Sequence, residues 1–117
     1  MTLVDDFSRA VWVYLLRDKK EVHKYFLSFI AMIEKQFEVP VKIVHSGNGT
    51  QFRCLLPYFE ERGILFQTTC VHTPQQNGKV DRRHRHILNV VRALMFQVAI
   101  PIALWGECVL TAVYLIN

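Results

Sequence analysis

Two rhythms of hydrophobic and polar positions run along this chain. Residues 11–16 form a compact apolar run rich in β-branched and aromatic side chains, the pattern of a buried strand. Ahead of it, Thr2–Val4 reads as a shorter strand. The link between them, Asp5-Asp6-Phe7-Ser8-Arg9, contains turn formers, so the pair is expected to be a hairpin. Over residues 20–37 the period becomes helical. Val22, Phe26, Phe29, Ile33 and Phe37 share one stripe, Tyr25 and Ile30 widen it, and Pro40 follows the end. Residues 41–44 make a short strand that stops at Ser46-Gly47-Asn48-Gly49. Residues 57–62 fit a brief helix with Pro57 at its first position and Gly63 beyond its end. Residues 64–69 are a further strand, and His72-Thr73-Pro74 opens a loop. The longest helix is expected from about residue 76 to 98, with Val80, Ile87, Val91, Leu94 and Val98 on its apolar face. Pro101 then opens a last helix whose stripe is Trp105, Cys108, Val109 and Ala112. The order β-β-α-β-α-β-α-α predicts a mixed α/β chain.

Composition narrows the class without naming a function. A length of 117 residues allows one domain, and 51% hydrophobic residues argue against disorder. A net charge of +4 suits a polyanionic partner, but many ordinary domains are as basic, so the placement of the charges has to decide. Cys54, Cys70 and Cys108 include no CxxC pair, which disfavours a zinc finger or a disulfide framework. They read as reduced, half-buried thiols of an intracellular protein. Residues 1–10 contain Asp5, Asp6 and Arg9 and lack the apolar core of a signal peptide. The apolar stretch 98–116 raises the question of a membrane helix. Pro101, Gly106 and Glu107 interrupt it, and an acid at mid-span costs about 2.5–3.5 kcal/mol. A buried core helix, with no membrane contact, is the expectation.

Three segments carry a family resemblance that covers nearly the whole chain. Val4-Asp5-Asp6-Phe7-Ser8-Arg9 with Trp12-Val13-Tyr14-Leu15 resembles the hairpin of copia-type retrotransposon integrase cores. His72-Thr73-Pro74-Gln75-Gln76-Asn77-Gly78 looks like their TPQQNG loop. Ala103-Leu104-Trp105-Gly106-Glu107-Cys108 through Tyr114-Leu115-Ile116-Asn117 is similar to their closing segment. The resemblance implies a partial integrase catalytic core over residues 1–117, with an RNase H-like mixed sheet flanked by helices. It also implies three acids that hold two Mg²⁺ or Mn²⁺ ions for attack on a DNA phosphodiester. Two divalent ions about 3.5–4 Å apart need anionic oxygens around both.

Carried over position by position, the implied chemistry is incomplete. The first family Asp maps upstream of Met1, so the chain is expected to be truncated on that side. Asp5 and Asp6 match the family's hairpin acids and read as turn residues. Gly47 stands where the second Asp belongs and offers no side-chain oxygen. Asp81 takes the place of the family Glu, one methylene shorter, which retracts the carboxylate by about 1 Å against a metal-site tolerance of roughly 0.2 Å. A second reading makes Asp81 the partner of Arg85 in a helix-surface ion pair. No productive metal binding and no catalysis are expected. Lys79, Arg82, Arg83, Arg85 and Arg92, with His86, cluster on or beside the long helix and are the candidate nucleic-acid contacts; the competing reading is a solvated basic face. His45, His72, His84 and His86 follow no metal-ligand spacing. The leading expectation is an inactive integrase core with weak, sequence-independent DNA affinity, intracellular and, if functional, nuclear. The alternative is a non-enzymatic interaction module, with homo-oligomer contacts through the last two helices. Loss of the central first strand is expected to cause aggregation, or direct pairing of the hairpin with residues 41–44.

Overall fold

A computed structural model of the protein describes residues 1–47, 50–68 and 78–117. Its elements keep the expected order: β1 (Thr2–Val4), β2 (Val11–Val13), α1 (Val22–Phe37), β3 (Ile43–Ser46), α2 (Leu56–Arg62), β4 (Leu65–Thr68), α3 (Gly78–Gln97) and α4 (Trp105–Ile116). Short 3-10 turns occupy Lys19–Glu21, Thr50–Leu55 and Ile102–Leu104. The protein is therefore mixed α/β, and its contacts divide it into two compact units, Met1–Leu15 with Gly78–Asn117, and Leu16–Asn77.

In the first unit β1 and β2 pair antiparallel, with Thr2 opposite Val13 and Val4 opposite Val11. The turn closes through Asp5 N–H donating to the Ala10 carbonyl and Arg9 N–H to the Asp5 carbonyl, both at 2.9 Å. The Asp5 carboxylate accepts from the Ser8 hydroxyl at 2.6 Å and the Ser8 amide at 2.8 Å, so this acid serves the turn. Val11 is buried with Ile87 and Val91 of α3 and Cys108, Val109 and Ala112 of α4. At the edge of β2 the Asn117 side chain takes the place of a strand. Its Oδ1 accepts from Val11 N–H at 3.0 Å, and its Nδ2 donates to the Val11 carbonyl at 2.7 Å.

The second unit has an aromatic core. Phe26 meets Phe52 and Phe59 edge-on at centroid distances of 5.2 and 5.9 Å, and Phe59 stacks on Phe66 at 5.2 Å. Such pairs add to the hydrophobic gain of burying the rings. Around them Val22, Phe29, Ile30, Leu55 and Ile64 are buried. β3 and β4 run parallel, Ile43 opposite Leu65 and Ser46 opposite Thr68. α2, which joins them, has Pro57 in its first turn and ends on Gly63 at φ 69, a left-handed position that suits glycine.

Several expectations are corrected. Among the described residues the strands form two separate two-stranded sheets, and β3 takes β4 as its partner, so direct pairing of the hairpin with residues 41–44 is not formed. β2 stops at Val13, not at Leu16, and β3 lies two residues further on than expected. Phe37, Val98 and Trp105 are exposed at 54%, 67% and 43%, each at the end of its stripe where the neighbouring element no longer covers it. Cys54 is exposed and Cys108 buried, both as free thiols; neither is half-buried. Cys70 and the loop of residues 72–77 lie outside the described residues, as does the expected helix start near Gln76. No helix among the described residues is long and apolar enough to cross a membrane.

Candidate nucleic-acid interface

α3 positions the basic residues because its opposite face is apolar. Ile87 and Val91 are buried, while Arg82, Arg85, His86 and Arg92 are exposed and Arg83 is half-buried. At about 100° of rotation per residue, Arg82 lies near the middle of the exposed face. His86 and Arg83 turn to one flank of it, and Arg85 and Arg92 to the other. The expected single basic face is thus two flanks. Lys79 belongs to α3 by its backbone, and its side chain lies outside the described residues.

The flank carrying Arg83 and His86 faces the hairpin. Val4, Arg9, Arg82, Arg83 and His86 line an open cleft of about 370 Å³. Thr2 Oγ1 lies 3.1 Å from His84 Nδ1, a hydrogen bond that ties β1 to α3. Arg9 reaches it from a left-handed backbone position, φ 65, and its guanidinium pairs with Asp6 at 3.0 Å. Sequence reading placed Arg9 only in the turn and did not connect it with α3. The signal was present in the position of a long cation at the tip of a turn, but nothing in the local pattern tells what the turn packs against.

Among the described residues ion pairs form at Arg9–Asp6 and Arg62–Glu34, and none engages Arg82, Arg83, Arg85 or Arg92. The ion pair expected between Asp81 and Arg85 is therefore absent, although their spacing allows it; both side chains point into water, where such a pair gains little over hydration. Gly47 follows the last residue of β3, half-buried, with its carbonyl accepting from the Ser46 hydroxyl at 3.1 Å. Asp81 is exposed in the first turn of α3. Neither position supplies the donor set of a two-ion centre: Gly47 has no side-chain oxygen, and Asp81 is a single acid. No group of three His, Cys, Asp or Glu side chains among the described residues is arranged to hold a metal ion.

No family model matches the chain. Comparison with known proteins is more informative. The chain is 38% identical over 114 residues to the retrovirus-related Pol polyprotein from transposon RE1 of Arabidopsis thaliana, and 36% identical over 114 residues to that from transposon RE2 of the same plant. It is 38% identical over 119 residues to the corresponding polyprotein from transposon TNT 1-94 of Nicotiana tabacum. Its homologues are transposon Pol polyproteins. The similarity covers 97–100% of this chain, which spans only 8–9% of the length of these relatives. The Pol-like stretch includes both the hairpin and α3, so the arginine-lined cleft lies within the region of similarity.

Proposed function

We propose that the chain is a stretch of integrase catalytic core from a copia-type retrotransposon Pol polyprotein, with an RNase H-like origin. In this reading it contacts DNA without performing metal-dependent strand transfer. One observation carries the reading: α3 presents Arg82, Arg83, Arg85 and Arg92 without a carboxylate partner among the described residues, in a chain similar to Pol polyproteins. Guanidiniums on one helix without a carboxylate partner among the described residues suit a backbone of phosphates and carry no base-specific information by themselves, so the binding is sequence-independent. Mg²⁺ or Mn²⁺, which the family resemblance implies, does not fit the donor set at Gly47 and Asp81, and no catalytic step is assigned to this chain.

The test is a salt series of binding to labelled duplex DNA. A basic face of this size neutralises about three or four phosphates, so affinity falls steeply as salt rises. Arg82→Ala with Arg85→Ala lowers both affinity and slope; an unchanged slope would remove α3 from the interface. With Mg²⁺ or Mn²⁺ the chain gives no more strand transfer or nicking than Asp81→Ala. Metal-dependent product above that control would refute the non-catalytic part.

A second reading is favoured by a different surface. On α4, Leu110 and Tyr114 are exposed four residues apart on one side of the helix, and Trp105 and Leu115 are exposed elsewhere on it; apolar side chains left open in this way suit association between copies of the chain. Sedimentation of wild type against Leu110→Lys with Leu115→Lys separates the two: a monomer in both cases removes the association reading and leaves the DNA reading intact.

A further inference from the structure

We infer that the cleft between the β1–β2 turn and α3 is a seat for a single phosphate, held from the turn by Arg9 and from the helix by Arg82, Arg83 and His86. The inference rests on the nucleic-acid reading and deepens it, because it names one backbone phosphate as the group bound there. Its first support is convergence. His86 stands four residues after Arg82 and three after Arg83, so it neighbours both on the helix surface, and Arg9 joins them from an element far away in the sequence. Three guanidiniums and an imidazole line the same open cleft; among the described residues the Asp6 carboxylate pairs with Arg9, and that of Asp5 also feels the Arg9 charge. That balance leaves the cleft positive, and the half-buried side chain of Val4 on its wall reduces the screening that open water would supply.

The second support is the backbone of Arg9. At φ 65 a non-glycine residue is strained, and glycine would occupy the position freely. Arginine is there nonetheless, fixed by the 3.0 Å contact with Asp6 and turned towards the helix. Guanidinium groups match the tetrahedral oxygens of phosphate with paired donors, which a lysine ammonium cannot do. Arg82 adds to this from above the first turn of α3, its Nη1 lying 3.5 Å from where a Cβ on Gly78 would stand.

Convergence on one phosphate has a signature that a flat basic face lacks. The salt slope counts phosphates neutralised, about 0.9 for each, and not the cations that do it. Arg9→Gly together with Arg83→Gln should therefore lower the slope by about 0.9, as for one contact. The affinity lost between 50 and 200 mM salt then shrinks by roughly 3.5-fold. Arg85→Ala and Arg92→Ala, on the other flank, should lower it additively. Glycine accepts the φ of position 9, so the turn persists in that variant, and Arg9→Lys, which keeps charge but not the paired donors, should recover only part of the affinity. A loss of about 1.8 for the cleft pair would mean two separate contacts and overturn the single seat. DNA binding that ignores both cleft substitutions would also overturn it, while leaving the broader reading in place. An independent arm titrates inorganic phosphate at constant ionic strength and follows side-chain NMR signals of Arg9, Arg83 and His86. Saturable shifts confined to these residues, and lost in the double variant, support the seat even if the chain binds no duplex, a result that would sink the DNA reading alone. Shifts equally large at Arg85 and Arg92, or none that saturate, overturn the seat.

Discussion

In the unit of Leu16–Asn77, Arg62 donates to Glu34 at 2.9 Å and lies over the Tyr58 ring at 5.1 Å, whereas on α3 of the other unit Arg82, Arg83, Arg85 and Arg92 have no ion-pair partner among the described residues. The first arrangement uses a cation to fasten one element to another: Glu34 belongs to α1 and Arg62 to α2. Its field is largely neutralised where it arises. In the second arrangement the charges add, and they raise the potential over an exposed surface that a polyanion can approach. The cores differ in the same way. The ring cluster of Phe26, Phe52, Phe59 and Phe66 stabilises the unit that contains the Glu34–Arg62 pair. The aliphatic core of Val11, Ile87, Val91 and Ala112 supports the helix that carries the basic side chains. Net charge alone could not have distinguished these uses. Partnership does.

The largest effect should come from removing a ring. Phe59 is 1% exposed and touches Phe26 and Phe66, so Phe59→Ala should cost about 3–5 kcal/mol, the usual range for emptying a buried phenyl site. Chemical denaturation followed by far-UV circular dichroism measures it. A cost below about 1 kcal/mol would mean that the ring cluster is not the core of its unit. Both tryptophans, Trp12 and Trp105, lie in the other unit, so their fluorescence reports separately on the aliphatic core.

A smaller loss is expected at Asn117. Its amide satisfies both backbone groups of Val11 at distances of 3.0 and 2.7 Å. Asn117→Ala would leave a part-buried N–H and C=O without those partners, at about 1–3 kcal/mol. Tryptophan fluorescence during denaturation should detect it. Asn117→Asp separates geometry from chemistry: an ionised carboxylate can still accept from Val11 N–H but cannot donate to its carbonyl. If both variants melt like wild type, the amide is not closing the edge of β2.

Element order was legible because it depends on local pattern. The stripe of Val22, Phe26, Phe29 and Ile30 and the Pro57–Gly63 bracket around α2 each signal a helix without reference to the rest of the chain. Strand limits were not, because a strand ends where its partner ends. The apolar run continues to Leu16, yet β2 has only Thr2–Val4 opposite it, and Leu15 is left exposed. β3 is shifted because its register is set by Leu65–Thr68. The Thr50–Leu55 turn has no periodic signature, although it brings Phe52 into the ring cluster. For the interface, the basic residues of α3 could be read directly from the sequence. Their division into two flanks follows from the helical period, but the arrival of Arg9 depends on how the hairpin packs on α3, which no local pattern encodes.

The smallest effect concerns the turn that delivers Arg9. The Ser8 hydroxyl, and next the Ser8 amide, donate to the Asp5 carboxylate and hold its pKa below the ordinary value of 3.8. A carboxyl depressed on folding favours the folded state once it is ionised. That contribution is complete above the unfolded pKa and is lost as pH falls through the lower, folded one. Because Asp5 is exposed, solvent screens the interaction and the change in stability is slight. Thermal melts from pH 5 down to pH 2 should therefore show a small acid loss in wild type that is reduced in Asp5→Asn, whose side chain can still accept from Ser8 but does not titrate. The same titration bears on the contrast between the two units. Backbone amide signals of Ser8 and Arg9 should move with the Asp5 titration, whereas those around the Glu34–Arg62 pair should not track it. If Ser8 and Arg9 stay fixed while the melting curve shifts, the acid sensitivity arises elsewhere and the turn does not depend on Asp5.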